Sequence, residues 1–182
     1  TEMIAEMAGI VRQESLESDL HEMFRAGILQ LNEDGRSYTF ANNSFRETIY
    51  ECLPQGDRVR WHGCCAKWLE RHLNIQNVSL LAYQFTRARM TERGFYFSLQ
   101  AAKSALESFS LSDAARHFSD CRNLCEVKGE NPPPDHLVVD FLQAYSKFLT
   151  LEGRHAEVYG TLRRWRRLAK SAHNNASAMS AA

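Results

Sequence analysis

The sequence lacks several features that would assign it to a common functional class. It contains no run of about 18 or more apolar residues, so we expect no membrane span. Its 22 basic and 22 acidic side chains leave a formal net charge of zero, which gives no overall attraction to nucleic acid or anionic lipid. It has neither the Gly-rich, Lys-containing loop that cradles phosphates nor the paired carboxylates of a metal-dependent cyclase. We therefore expect no catalytic residues and no cofactor in this chain.

Disulfide spacing is also missing, although cysteine itself is not rare. The five cysteines are an odd number, and they fall inside helical patterns rather than at intervals through loops. A disulfide framework is therefore not expected, and the composition favours a reducing, cytoplasmic compartment. No charged leader followed by an apolar stretch precedes the first helical pattern, so no signal peptide is expected in these residues.

What the sequence does contain is a short hairpin signal followed by an almost continuous helical pattern. Two apolar runs flank the Asn-Glu-Asp-Gly sequence at 32–35, whose Gly35 is suited to positive φ. Two short amphipathic patterns precede the hairpin, and the order helix, helix, hairpin is that of a winged-helix module. With 44% hydrophobic residues the chain has enough apolar material for one domain or two small ones.

The helical region contains one turn that is typical of helical repeats. Residues 137–151 have a helical apolar pattern, Gly153 provides a turn, and a partner helix opens on Ala156. This arrangement resembles a tetratricopeptide (TPR) hairpin, and residues 109–114 form a looser earlier copy. A helix pattern at 95–106 is apolar on more than one side, so we expect it to lie between neighbouring helices. The predicted fold is mainly α: a small winged-helix module with a β-hairpin, followed by a stack of antiparallel TPR-like helical hairpins.

Composition shifts and turn signals divide the chain into five segments. The proline run near the middle of the helical region is stiff, and no helix can cross it. The Asn- and Ala-rich end has the composition of a disordered tail. The predicted segments are a winged-helix-like module (1–56), a bundle of the first repeat helices (57–130), a Pro-rich linker (131–135), a TPR-like helical hairpin (136–172) and a disordered tail (173–182).

Five short patterns within residues 15–125 follow an order that is shared with one protein family. They are Ala26-Gly27-Ile28-Leu29, Tyr38-x-Phe40, Arg46-Glu47-x-x-Tyr50, Arg58-x-Arg60-x-His62, and Ala66 with Leu69-Glu70. The ordered set resembles the junction between the winged-helix segment and the helical repeats of STAND/AAA-type signalling ATPases, as in soluble-type (class III) adenylyl cyclases. Where that family often has a histidine two residues after the phenylalanine, this chain has Asn42.

The resemblance implies a non-catalytic role, because in that family the segment relays or restrains the activity of other domains. The predicted function is a scaffold and protein-interaction segment of a larger multidomain signalling ATPase or nucleotide cyclase. Its partners would be other domains of the parent protein, or partner proteins. An alternative is a regulatory fragment of an adenylyl or guanylyl cyclase whose catalytic domains lie outside this chain.

A second alternative is a winged-helix transcription regulator. It is disfavoured because the helix before the hairpin, which would enter the major groove, carries carboxylates that DNA phosphates repel. These residues are Glu14, Glu17, Asp19 and Glu22. We therefore predict no nucleic-acid partner.

Two groups of histidine and cysteine residues could carry chemistry, and we interpret both as packing. His117, Cys121 and Cys125 recur every four residues on one helical face, but a zinc site normally takes four ligands in two short-spaced pairs. No second pair is evident, so we predict a packed core and no metal. His62 and Cys65 resemble a nucleophile pair without a third orienting group. We predict instead that His62 packs on the preceding helix with a satisfied ring nitrogen.

The densest patch of one charge is a basic cluster near the end of the chain. Its members are Arg163, Arg164, Trp165, Arg166, Arg167 and Lys170. A basic amphipathic helix suits calmodulin, an acidic partner or a membrane surface, and the acid-rich first 57 residues are one candidate partner. Cations near a helix C-terminus are also favoured by the helix dipole alone, so a solvated outer face is the alternative. We predict this basic cluster as the partner-binding site.

Overall fold

The chain forms two compact units, Thr1–His72 and Leu73–Ala182. The computed structural model describes residues 4, 13–35, 37–72, 77–126 and 133–163. The division falls after His72 and not after residue 56 as in the sequence-based division, because the helix that begins at Gln55 belongs to the first unit. Helices on both sides of the proline-containing segment belong to the second unit, so that segment does not separate two domains.

The described part of the first unit contains helices around a two-stranded hairpin. The elements are α1 (Gln13–Arg25), β1 (Leu29–Leu31), β2 (Tyr38–Phe40), α2 (Asn43–Cys52) and α3 (Gln55–His72). α1 stops at Gly27, whose φ of 71° lets the Ile28 N–H donate to the Met23 carbonyl at 3.0 Å. Of the predicted helix at 2–11, only Ile4 lies within the described residues, and it is helical.

The hairpin has the turn that the sequence predicted. Its strands are antiparallel, with Leu29 opposite Phe40. Gly35 adopts a φ of 63°, and the Asp34 carboxylate accepts hydrogen bonds from the Ser37 N–H at 3.0 Å and the Ser37 hydroxyl at 2.6 Å. A side chain that satisfies the backbone of its own turn fixes the register of such short strands.

A small apolar cluster holds the hairpin against α1. Leu16 and Leu20 of α1 pack with Leu29 of β1, and Tyr38 of β2 lies alongside them. The chain then enters α2 directly after the hairpin, where the Asn42 side chain accepts a hydrogen bond from the Ser44 N–H at 2.8 Å. Asparagine is among the best N-cap residues, so the position that often holds histidine in the resembled family serves here as a helix cap.

The second unit consists of helices packed as antiparallel hairpins. They are α4 (Val78–Arg87), α5 (Thr91–Glu107), α6 (Leu111–Glu126), α7 (Asp135–Leu151) and α8 (155–163). α5 packs against α4 and α6, and α7 packs against both α5 and α6. The position of α5 between neighbours is therefore as predicted. The mainly α fold, with a small hairpin followed by packed helical hairpins, is confirmed.

An aromatic cluster joins the helices on either side of the proline-containing segment. The ring centroid of Phe118 on α6 lies 5.2–6.0 Å from the ring centroids of Phe141, Tyr145 and Phe148 on α7. Phe95 of α5 meets Phe141 edge-on at 5.7 Å, so all three helices contribute to one core. These rings are buried in that core, and Lys103 of α5 and Asp140 of α7 form an ion pair.

Three interhelical turns in this unit share one construction. In each, one residue takes a positive φ, and the N–H of the next residue donates to a carbonyl five residues back. The positive-φ residues are Arg89 (55°), Phe109 (55°) and Gly153 (72°). The sequence indicated the turns at Gly153 and 109–114. A left-handed conformation is uncommon for residues with a side chain, such as Arg89 and Phe109.

α4 and α5 approach closely at a glycine in the first turn of α5. A Cβ built on Gly94 would lie 3.2 Å from the backbone nitrogen of Thr86 and 3.3 Å from its Cα. Since the neighbouring atoms belong to a helix backbone, they cannot rotate away as a flexible side chain would. Gly94 therefore sets the spacing between the two helices.

We expect Gly94→Ala to destabilise the protein by about 1 kcal/mol in chemical denaturation. The crowding at Thr86 costs about 1–3 kcal/mol, and the gain of about 1 kcal/mol in helix propensity offsets part of it. Gly160→Ala on α8 is the matched control, because nothing lies within 4 Å of a Cβ at that position. It should stabilise by about 0.5–1 kcal/mol. Equal effects of the two substitutions would show that Gly94 does not set the helix spacing.

Candidate functional site

A polar cleft of about 320 Å³ opens between the start of α4, the C-terminal half of α5 and the start of α6. The hydrogen-bonding side chains that line it include Asn77, Ser79, Ser104, Ser110, Arg116 and His117. No single stretch of sequence supplies the cleft. The packing of α4 and α6 against α5 brings its residues together.

The α4 side of the cleft is a helix start without a side-chain cap. Asn77 occupies the N-cap position, but its side chain makes no capping hydrogen bond. The first N–H groups of a helix have no acceptor within the helix, and the Asn77 side chain does not provide one for α4. Residues 78–80 of this first turn line the cleft.

The α6 side of the cleft is organised by Asp113. The Ser110 hydroxyl donates to one carboxylate oxygen at 2.8 Å, and the Arg116 guanidinium donates to the other at 3.3 Å. These two hydrogen bonds lower the pKa of Asp113, so it is ionised at neutral pH. The hydrogen bond to Asp113 uses one N–H group of Arg116. A guanidinium carries five N–H groups, so most of them remain for other acceptors.

His117 is the most buried polar group at the cleft, with 3% of its side chain exposed. Its Nε2 lies 3.2 Å from the Ser79 hydroxyl oxygen and 3.4 Å from the Arg116 guanidinium. Because a guanidinium can only donate, its contact with Nε2 favours the tautomer in which Nε2 accepts and Nδ1 carries the proton of the neutral ring. That atom has no hydrogen-bond partner, and the nearest carboxylate oxygen, from Asp120, is 3.9 Å away.

The surroundings of His117 keep it neutral. Burial lowers its pKa, and the positive charge of Arg116 lowers it further, against opposing effects of Asp120 and Asp113. At neutral pH the cleft therefore holds one cation, Arg116, one carboxylate, Asp113, and an uncharged imidazole.

Ser79, His117 and Asp120 are the residue types of a hydrolase triad, but their geometry does not fit one. A triad needs the carboxylate to hold the Nδ1 proton, and 3.9 Å is too long for that hydrogen bond. The Arg116 guanidinium also lies against Nε2, the atom that would have to take the serine proton. The arrangement supplies hydrogen-bond donors to a ligand and does not activate Ser79 as a nucleophile.

The predicted partner-binding residues lie mostly outside the described part of the chain. Arg163 is exposed on α8 and is the last residue that the structure describes. Arg164, Trp165, Arg166, Arg167 and Lys170 lie outside the described residues. The basic cluster therefore stays a prediction.

The predicted His and Cys stripe on α6 divides between two environments. Cys121 is fully buried in the core with Phe118, and Cys125 packs against the same core, as predicted. Burial strongly raises the pKa of the Cys121 thiol, which makes it a poor metal ligand or nucleophile. His117 differs, because it lines the cleft. Among the described residues no three His, Cys, Asp or Glu side chains lie close enough to hold a metal ion.

The prediction for His62 is confirmed. Its Nε2 lies 3.0 Å from the hydroxyl of Tyr50 on the preceding helix, and the two rings meet edge-on. Arg58 stacks over the same Tyr50 ring. Burial, together with the neighbouring Cys64, raises the pKa of the Cys65 thiol, so this cysteine is not a thiolate nucleophile at neutral pH. All five cysteines are free.

Comparison of the chain with protein-family models, with curated proteins and with solved structures found no match. None of the described helices combines the length and the apolarity that crossing a bilayer requires. The cleft is therefore interpreted from its own geometry.

The free energy of unfolding should fall as the pH drops below about 6.5, the pKa of histidine in an unfolded chain. The pKa of His117 is lower in the folded state, so the unfolded state binds the proton first as the pH falls. The stability that the neutral ring contributes is therefore fully present above about pH 6.5 and is lost as the pH falls toward the lower folded pKa. One titrating group changes the free energy of unfolding by at most about 1.4 kcal/mol per pH unit. His117→Gln should flatten this dependence in denaturation curves between pH 7 and pH 5, whereas His136→Gln, at an exposed position on α7, should not. An unchanged slope in His117→Gln would contradict the assignment of a buried neutral ring.

Proposed function

We propose that this chain is a non-catalytic scaffold and protein-interaction segment of a larger, cytoplasmic signalling ATPase or nucleotide cyclase. The observation that carries the proposal is the construction of the second unit, in which α4 to α8 form hairpins with repeated turns around one core. Stacked helical hairpins act by presenting an extended surface to a partner. The order of the hairpin before this stack agrees with the family resemblance of the sequence.

The described surface of α1 supports this proposal over a DNA-binding function. Glu17, Asp19 and Glu22 are all exposed on the helix that precedes the hairpin. Their charges would face the phosphate backbone if this helix entered a groove, and they would repel it.

The partner that we propose for the basic cluster is an acidic segment of a neighbouring domain. Arg163 is exposed on α8, which places the first cation of the cluster on the surface of the helical stack. Attraction between exposed charges acts mainly on the association rate, and salt screens it as the Debye length falls from about 10 Å at 0.1 M to about 3 Å at 1 M.

The test is the association rate between the full chain and the other domains of its parent protein, measured at increasing ionic strength. We expect the rate to fall with salt, and to fall at low salt when Arg163 and Arg167 are both changed to Glu. Lys147→Glu, at an exposed position on α7, is the control for an unrelated charge change and should leave the rate near that of the wild type. Salt-independent rates that are equal in all variants would reduce the basic cluster to a solvated face, and absence of any binding would contradict the scaffold function.

A further inference from the structure

We propose that the cleft between α4, α5 and α6 is a binding site for hydrogen phosphate or for the phosphate group of a small phosphomonoester. This inference does not depend on the proposed scaffold function. It follows from which groups donate, which group accepts, and how much space they enclose.

The donors of the cleft suit an oxyanion. Arg116 lies between Asp113 and His117 and retains N–H groups beyond its contacts with these two residues. The Ser104 hydroxyl lines the same cleft, and so does the first turn of α4, whose N–H groups the Asn77 side chain does not cap. A guanidinium with hydroxyl and backbone N–H donors is the combination that proteins use for phosphate.

The buried imidazole of His117 connects two sides of the cleft. The structure keeps His117 almost fully buried although its Nδ1 has no hydrogen-bond partner, and an unsatisfied buried polar group costs stability. His117 contacts Ser79 across the two helices, from α6 to α4. We assign it as a positioning residue, because it holds the Ser79 hydroxyl at the cleft without itself needing to charge.

The carboxylate of Asp113 decides which oxyanion fits. It is the single carboxylate among the described residues that line the cleft, and it is ionised. A fully deprotonated anion such as sulfate meets only repulsion from it. Hydrogen phosphate and a singly protonated phosphomonoester carry an O–H that can donate to this carboxylate, and their second pKa near 6 keeps part of the ester protonated at neutral pH. The cleft should therefore prefer phosphate to sulfate.

The cleft volume limits the ligand to a small one. About 320 Å³ is at the lower end of the range for small-molecule pockets. It accommodates a phosphate group with a small substituent. Phe109, which is 78% exposed, lies between the lining residues Ser108 and Ser110 in the chain.

The test is calorimetric titration of the full chain with inorganic phosphate, phosphoserine, AMP and sulfate in separate experiments. We expect saturable binding of inorganic phosphate with a dissociation constant of about 1 mM or tighter, and weaker binding of sulfate. Stronger binding of phosphoserine or of AMP than of phosphate would identify the type of group that the natural ligand carries. Absence of saturable binding of any phosphate compound, or equal binding of sulfate, would overturn the proposal.

Variants separate this cleft from binding elsewhere. Arg116→Gln should weaken phosphate binding about tenfold, the effect of losing one charge-assisted hydrogen bond, whereas Arg122→Gln at an exposed position on the same helix should not. Ser104→Leu places an apolar side chain in the cleft and should abolish binding without loss of fold, because Ser104 is exposed. Thermal melts of each variant establish that it is folded. Unchanged affinity in both Arg116→Gln and Ser104→Leu would place the phosphate outside the cleft and contradict the proposal.

Discussion

The contact between Phe118 of α6 and the aromatic face of α7 is the interaction on which the second unit depends. Phe118 is 1% exposed and lies against Phe141, Tyr145 and Phe148. These contacts cross the proline-containing segment, so they join what would otherwise be two separate hairpins. Aromatic side chains bury more area than any others, and their edge and offset geometries fix the relative orientation of the helices.

The same contact positions the cleft. Successive residues on an α-helix point about 100° apart, so when Phe118 faces the core, the preceding His117 faces away from α7. His117 then reaches Ser79 on α4, and Arg116 reaches Asp113 one turn earlier. The packing of α4 against α5 forms another side of the cleft. The polar site is thus a consequence of how the apolar core orients α6.

Local features of the fold could be predicted from the sequence because their causes are local. The hairpin turn follows from Gly35 and its neighbours, and the Tyr50–His62 contact joins helices that are adjacent in the chain. The cleft could not be predicted, since Ser79 and His117 are 38 residues apart and isolated serines have no periodic signal. The core shared by α6 and α7 could not be predicted either, because a proline run shows where a helix stops and not whether its neighbours share a core. Pro134 serves as the N-cap position of α7, and the Leu137 N–H donates to its carbonyl at 2.9 Å.

The most direct test of a single core across the proline-containing segment is amide hydrogen exchange in Phe118→Ala. Replacing a fully buried phenylalanine with alanine costs about 3–5 kcal/mol. If α5, α6 and α7 share one core, the most protected amides of all three helices should lose protection by about this amount together, because they exchange through the same cooperative opening. Wild-type protection that persists in α7, while α5 and α6 lose theirs, would show that the proline-containing segment separates two independent units and would contradict the single core.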